Sequence, residues 1–283
     1  MIYNRLTNTY EEDHQQCQTA LNFLYNTKLG RVILKLLIKP FISKIIGFYH
    51  DTCISKLKIK SFIQKNNIDM NHYVKKEYKN FNDFFTREKK NKKIKVSAED
   101  FISPADSKLL IYKISPKQKV TIKNSTYTLD DLVDNKIDLK DFKNGYCLVF
   151  RLALDDYHRY CYVDDGTFES SHNIKGKLHT VCSISKDYKI YKENHRVVSK
   201  LNTKHFEDII YIEVGALSVG KIVNHHQESF KKGDEKGYFK MGGSTIVVLV
   251  KDNVLKIDED ILKHATNEIE VKLSYGEKIG IKK

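Results

Sequence analysis

The hydrophobic and polar positions divide the chain into a helical front and a β-rich remainder. In "LGRVILKLLIKPFISKIIGFY" (29–49) apolar residues dominate, yet Arg31, Lys35 and Lys39 recur every four residues and so share one helix stripe. Pro40 predicts an end or a kink there, and Ile42, Ile45, Ile46 and Tyr49 predict a second amphipathic helix beyond it. Helical character extends over residues 14–80, and the basic run "REKKNKKIKVS" (87–97) reads as a solvated linker. From about residue 100 the pattern becomes that of strands. "YCLVFRLAL" (146–154), "DIIYIEVGALSVGKIV" (208–223) and "STIVVLV" (244–250) are rich in Val, Ile and aromatics, with glycines punctuating them. The expected class is α+β: a helical N-terminal region over 1–98, then a compact β-rich domain over 99–283.

One strand has an odd mouth. In "YFKMGGSTIVVLV" (238–250), Gly242, Gly243, Ser244 and Thr245 precede a plain apolar run. A tight turn explains the glycines, because glycine adopts backbone angles that other residues resist. A reactive Ser244, with an unhindered Gly243 carbonyl beside it, explains them equally well.

Composition changes the picture in two ways. The 49 basic and 36 acidic residues give a net charge of +13, which favours an anionic partner, a nucleic acid or an acidic membrane surface, unless the lysines only solubilise. The front helices can therefore be read as a pair packed on the main domain, or as interfacial helices whose lysines meet lipid headgroups. The five cysteines, Cys17, Cys53, Cys147, Cys161 and Cys182, form no CxxC pair, which argues for a reduced compartment and against structural zinc. The polar, acid-bearing N-terminus is not a secretory signal. No stretch reaches the ~18 apolar residues of a membrane span.

The candidate chemistry is narrow. There is no GxSxG elbow, no GxxxxGK[ST] loop and no HExxH. His225 and His226 are adjacent, so on a strand they would point to opposite faces, and no metal site is expected. "FISPADSKLL" (101–110) places Asp106 in a proline-containing turn, and "LALDDYHRYCYVDDG" (152–166) places His158 at a strand end among Asp155, Asp156 and Arg159. Each has an ordinary structural reading. Together with Ser244 they supply a carboxylate, a base and a hydroxyl, the set that activates a serine. Spacing alone does not show that they meet.

Read in order, "FFTREKK" (84–90), "SPADS" (103–107), "DYHRY" (156–160), "VGALSVGKI" (214–222) and "KGDEKGYFKMGGSTIVVL" (232–249) resemble the signatures of phosphatidylserine decarboxylase proenzymes. The resemblance covers about residues 80–250. It implies that the Ser244 hydroxyl attacks the Gly243 carbonyl, and that the Gly243–Ser244 bond is cut through an ester and dehydroalanine. Ser244 then becomes a covalent pyruvoyl cofactor, with Asp106 and His158 as the activating carboxylate and base. The same resemblance implies that the pyruvoyl forms a Schiff base with phosphatidylserine and releases carbon dioxide to give phosphatidylethanolamine. No metal or dissociable coenzyme is implied. The implied partners are phosphatidylserine in an anionic membrane and a large chain 1–243 held with a small chain 244–283. A homodimer of that pair is left open. The implied location is peripheral, on the cytoplasmic face of the cell membrane. Two alternatives stay open: a pyruvoyl decarboxylase of another amino-acid substrate, and a non-catalytic basic membrane-binding relative. A nucleic-acid module is disfavoured, since no RNP-type aromatic motif occurs. Two departures stand out: Cys161 occupies a position where many members carry a second histidine, and Ser107 follows the "SPAD" turn where glycine is common. His179 in "GKLHTV" is a reserve for a protonation role.

Overall fold

Seven consecutive buried residues, Ser244–Val250, form a central strand of a ten-stranded sheet. The structure is a computed structural model that describes residues 1–13, 18–91, 94–122, 125–181, 188–217, 221–241 and 244–283. Across the sheet the order is Ser229–Phe230, Gly166–Ile174, Arg196–Thr203, Glu207–Gly215, Ser244–Val250, Tyr146–Leu152, Ser107–Lys113, Glu270–Leu273, Ile2–Asn4 and Thr9–Glu11. Neighbours run antiparallel, except that Ile2–Asn4 lies parallel to Glu270–Leu273.

The central strand lacks a polar face because both sides of the sheet are covered. Ile246, Val248 and Val250 join one apolar cluster with Phe150, Tyr160, Tyr211 and Phe239. Val247 and Leu249 point the other way, into a cluster with Val149, Ile212 and Val214. Each of these five aliphatic residues is at most 1% exposed, a burial worth about 1.5–3 kcal/mol apiece. Two smaller three-stranded sheets flank this core. One joins Ile222–Asn224, Glu235–Phe239 and Arg159–Cys161, and the other joins Leu255–Ile257, Lys278–Lys282 and Asp100–Ile102.

The front of the chain folds as helices Gln18–Asn26, Lys28–Leu37, Pro40–Asp51, Lys58–Lys65 and Phe81–Phe85. Pro40 begins its helix at the first turn, where its missing N–H would have had no partner anyway. The break expected at this proline is therefore a clean helix boundary.

Two expectations need correction. The region 1–98 is not uniformly helical, since Ile2–Asn4 and Thr9–Glu11 complete the main sheet. The run at 87–97 does not begin as a solvated linker. Arg87 is fully buried, its guanidinium 4.5 Å from the Tyr73 ring centroid and 5.2 Å from that of Phe84, and its Nη2 donates to the Asp155 carbonyl at 3.1 Å. Aromatic faces and a carbonyl hold that cation where water does not. The β-rich run 208–223 supplies two strands: Glu207–Gly215 belongs to the main sheet and Ile222–Asn224 to a small one, with residues 218–220 outside the described residues.

Candidate active site

Ser244 is fully buried at the entry of the central strand, paired in register with Gly215 on one side and Leu152 on the other. Strand alternation puts its side chain on the face of Ile246 and Val248. Its Oγ has no hydrogen-bond partner among the described residues. Gly243 lies outside the described residues.

His158 immediately precedes the strand Arg159–Cys161, whose Tyr160 and Cys161 pack in the cluster on the face of Ser244. Its main-chain carbonyl accepts from Phe239 N at 2.9 Å, which ties it to the segment leading into Ser244. The ring is fully buried and its centroid lies 4.1 Å from that of Phe85. Nδ1 is 2.9 Å from the Asp156 carbonyl. A carbonyl only accepts, so Nδ1 carries the proton and Nε2 presents its lone pair. That Nε2 is buried and has no partner among the described residues. Burial lowers the His158 pKa to about 4, with Arg87 and Lys108 adding to the effect against the Asp156 contacts. The ring is therefore a neutral base at neutral pH. A buried hydroxyl and a buried lone pair, neither with a partner among the described residues, are costly in a fold.

Asp106 makes no hydrogen bond to His158 among the described residues. Its carboxylate takes Lys89 Nζ at 2.8 Å on both oxygens, and Tyr275 N–H donates to its Oδ1 at 2.6 Å. The orienting acceptor is the main chain of Asp156, whose carboxylate is in turn held by Lys108 Nζ at 2.6 Å and Ala153 N at 2.7 Å. His179 is buried, with Nδ1 3.3 Å from the Tyr25 hydroxyl and Nε2 3.9 Å from Glu193. Asn194 bonds the main chain of His179 through its side chain and donates to the carbonyl of Gly215, the register partner of Ser244, at 2.8 Å. His225 Nε2 faces Glu235 at 2.9 Å.

A family model described as phosphatidylserine decarboxylase matches residues 81–281. The chain belongs to the phosphatidylserine decarboxylase family. It is 50% identical over 283 residues to a Clostridium acetobutylicum protein named phosphatidylserine decarboxylase proenzyme 2, covering 99% of this chain and 97% of that one. It is 39% identical over 291 residues to a phosphatidylserine decarboxylase proenzyme of Clostridium botulinum strain Kyoto, covering 99% of each. A proenzyme of the same name from Clostridium tetani is 39% identical over 290 residues, covering 99% of this chain and 98% of that one.

Within this decarboxylase family, Cys161 is the departure that bears on the site. The thiol is buried and its pKa is pushed up to about 12, chiefly by desolvation, so it stays protonated and cannot replace a histidine as base. Cys161→Ala is expected to leave maturation within about twofold of the parent, since general-base effects of 10²–10⁴ would vanish only with a true base. Maturation is followed on a denaturing gel, and loss of cleavage in a folded Cys161→Ala chain would make the thiol a participant.

The sequence carries no sign of the contacts of Asn82, Lys89 and Lys108, and it shows Asp156 only as a neighbour of His158. Only Lys89 falls in a quoted segment where charge was read as solvation, and a main-chain acceptor such as the Asp156 carbonyl leaves no mark in side-chain chemistry. A cavity of about 450 Å³ opens beside Met241, three residues before Ser244, with Lys44, Phe48, Asp51, Lys221 and Lys240 among its lining.

Proposed function

We propose that this chain is a self-cleaving phosphatidylserine decarboxylase that works at the surface of an anionic bilayer. The observation that carries the reading is the buried Ser244 hydroxyl, without a partner among the described residues, on the sheet face whose cluster holds Tyr160 and Cys161, next in the chain to the buried, neutral His158. His158 Nε2 takes the Oγ proton, and Oγ attacks the Gly243 carbonyl carbon. The Gly243–Ser244 amide bond then breaks, leaving an ester and a free Ser244 amine. Removal of the Ser244 Cα proton expels Gly243 as a carboxylate, and the resulting dehydroalanine takes up water and loses ammonia. Asp106 contributes by fixing Lys89 and the Tyr275 main chain around this loop.

Ser244 fits a pyruvoyl precursor. A cut before it leaves Ser244–Val250 paired with strands on both sides, and Glu270–Leu273 remains between Ser107–Lys113 and Ile2–Asn4. The small chain 244–283 thus stays in the sheet with chain 1–243. The pyruvoyl group would supply an electron sink for the carboxylate carbon's departing bond. The chain's own residues bind and orient: Lys44 and Lys221, in the cavity beside Met241, suit the phosphodiester of a lipid headgroup. Incubating the cleaved protein with vesicles containing phosphatidylserine is expected to release carbon dioxide and form phosphatidylethanolamine, with free serine left unchanged. Turnover of free serine instead would point to a different amino-acid substrate.

Exposed apolar residues on the front helices support the membrane part. Leu29, Val32, Leu36, Phe41, Ile45 and Phe48 are each more than half exposed, while Leu34 and Ile38 face inward. Arg31, Lys35, Lys39 and Lys44 are exposed among them. No helix among the described residues is long and apolar enough to cross a membrane. An apolar stripe rimmed with lysine suits partial insertion with headgroup contacts. Lys35→Gln/Lys39→Gln is expected to weaken sedimentation with acidic vesicles roughly 10- to 30-fold at low salt, from about 1 kcal/mol per cation, without slowing self-cleavage. Lys44 is spared in that variant because it lines the cavity. Binding to neutral and acidic vesicles that is equal and insensitive to salt would assign these helices to packing.

A further inference from the structure

The short segment Phe81–Arg87 touches both halves of the cleavage machinery. Asn82, 3% exposed, accepts from Met241 N–H through its Oδ1 at 3.0 Å. Its Nδ2 donates to Asp51 Oδ1 at 3.0 Å and to the Gly47 carbonyl at 3.4 Å, both on the helix Pro40–Asp51. Lys240, the neighbour of Met241, closes the same group with its Nζ 3.0 Å from each Asp51 oxygen. The Met241 side chain packs on the cluster of Phe81, Phe84 and Phe85. Three residues on from Asn82, the Phe85 ring lies against His158, and Arg87 donates to the carbonyl of Asp155 in the turn that carries that histidine.

We propose that Asn82 is a positioning residue for self-cleavage: it fixes the chain at Met241, two residues before the scissile Gly243, relative to the base His158. This rests on the reading of Ser244 and His158 given above. Ser244 is anchored in the sheet on its C-terminal side, so Met241 is the nearest anchor described on the other. Between the two anchors run only three Cα–Cα steps, about 11 Å at full extension. The attack needs the hydroxyl and carbonyl within about 3–3.5 Å, and a misplacement near 1 Å can cost 10²-fold in rate. An acceptor that holds Met241 N–H within the same five-residue helix that packs against the base therefore sets the geometry of the reaction, beyond stabilising the fold.

The test measures the first-order rate at which freshly synthesised proenzyme yields the 244–283 fragment, with the thermal unfolding of the uncleaved chain recorded alongside. Asn82→Leu keeps the branched shape and heavy-atom count and removes the acceptor, and is expected to cleave about 100-fold more slowly while still unfolding cooperatively. The exchange Asn82→Asp/Asp51→Asn restores an acceptor for Met241 N–H and a donor–acceptor pair between 82 and 51, and is expected to recover cleavage to within about tenfold of the parent. A folded Asn82→Leu chain that matures at the parental rate overturns the proposal. So does a folded exchange variant that cleaves no faster than Asn82→Leu. If Asn82→Leu fails to fold, a folded exchange variant that cleaves more than about tenfold more slowly than the parent overturns the proposal. Should the parent itself remain one chain, it is the reading of Ser244 that fails, and that outcome is distinct from either of these.

Discussion

Ser244→Ala yields a single uncleaved chain of 283 residues with no decarboxylase activity. The loss is complete because one oxygen serves two ends: it is the nucleophile on Gly243 and the leaving position whose elimination generates the reactive terminus. No other described hydroxyl substitutes for it. Thr245 begins the opposite alternation, with Val247 and Leu249, so its side chain points to the other face of the sheet. The variant should nevertheless fold well. The Ser244 Oγ is buried without a partner among the described residues, and deleting an unsatisfied buried polar atom removes a penalty rather than a contact. A thermal unfolding temperature at or slightly above that of an uncleaved parental chain, with no fragment on a denaturing gel, is the expected pair of results. Efficient cleavage of Ser244→Ala would place the nucleophile elsewhere.

His158→Ala slows self-cleavage by about 10²–10⁴-fold, the range of a positioned general base. The same residue sets the pH dependence. Its pKa in the fold is lowered to about 4, chiefly because burial disfavours the charged ring. The neutral form needed to accept the Ser244 proton thus persists well below the ordinary histidine value of about 6.5. The cleavage rate of the parent should hold roughly constant from pH 8 to about pH 5 and fall only as pH approaches about 4. Stability carries the same signature with its own sign. The unfolded chain binds this proton below about pH 6.5 and the folded chain only near 4, so folding loses roughly 3 kcal/mol from this group as pH falls through that window. Urea titrations of the uncleaved Ser244→Ala chain with and without His158→Gln would show that loss in the first and its absence in the second. A rate that drops with a midpoint near 6.5 would mean a solvated ring. Asp106→Asn should be milder, about tenfold on cleavage, since Asp106 acts through Lys89 and Tyr275 and its amide still accepts from Tyr275 N–H.

Much of this was legible in the sequence where one residue type dictates one outcome. The apolar run after Thr245 reads as a buried strand because five aliphatics in succession can be satisfied only in a sheet covered on both faces. Pro40 reads as a helix boundary because its ring forbids an interior position. Ser244 and His158 stand out in the sequence by their chemistry, and their joint role rests on the proposal above. What escaped was set by long-range partners. Ile2–Asn4 is too short to announce itself as a strand, and its parallel partner Glu270–Leu273 lies at the far end of the chain. Arg87 looked solvated because a charge run is read by its charges, whereas two rings and a carbonyl decide where this one sits. Asp106 was assigned to His158 by analogy with side-chain triads, while the acceptor in the fold is a main-chain oxygen that any residue at 156 would present. Asn82 resembles an ordinary helix residue until Met241, 159 positions away, is brought to it.

The most direct test is the intact mass of the two chains from purified protein, with the terminus of the smaller one probed by a carbonyl reagent. The account predicts a chain ending at Gly243 and a fragment beginning at position 244. That fragment should be lighter than the plain hydrolysis product by one ammonia and reactive toward hydrazide. An intact 283-residue chain, or a fragment that begins with an ordinary serine and ignores the reagent, would contradict it.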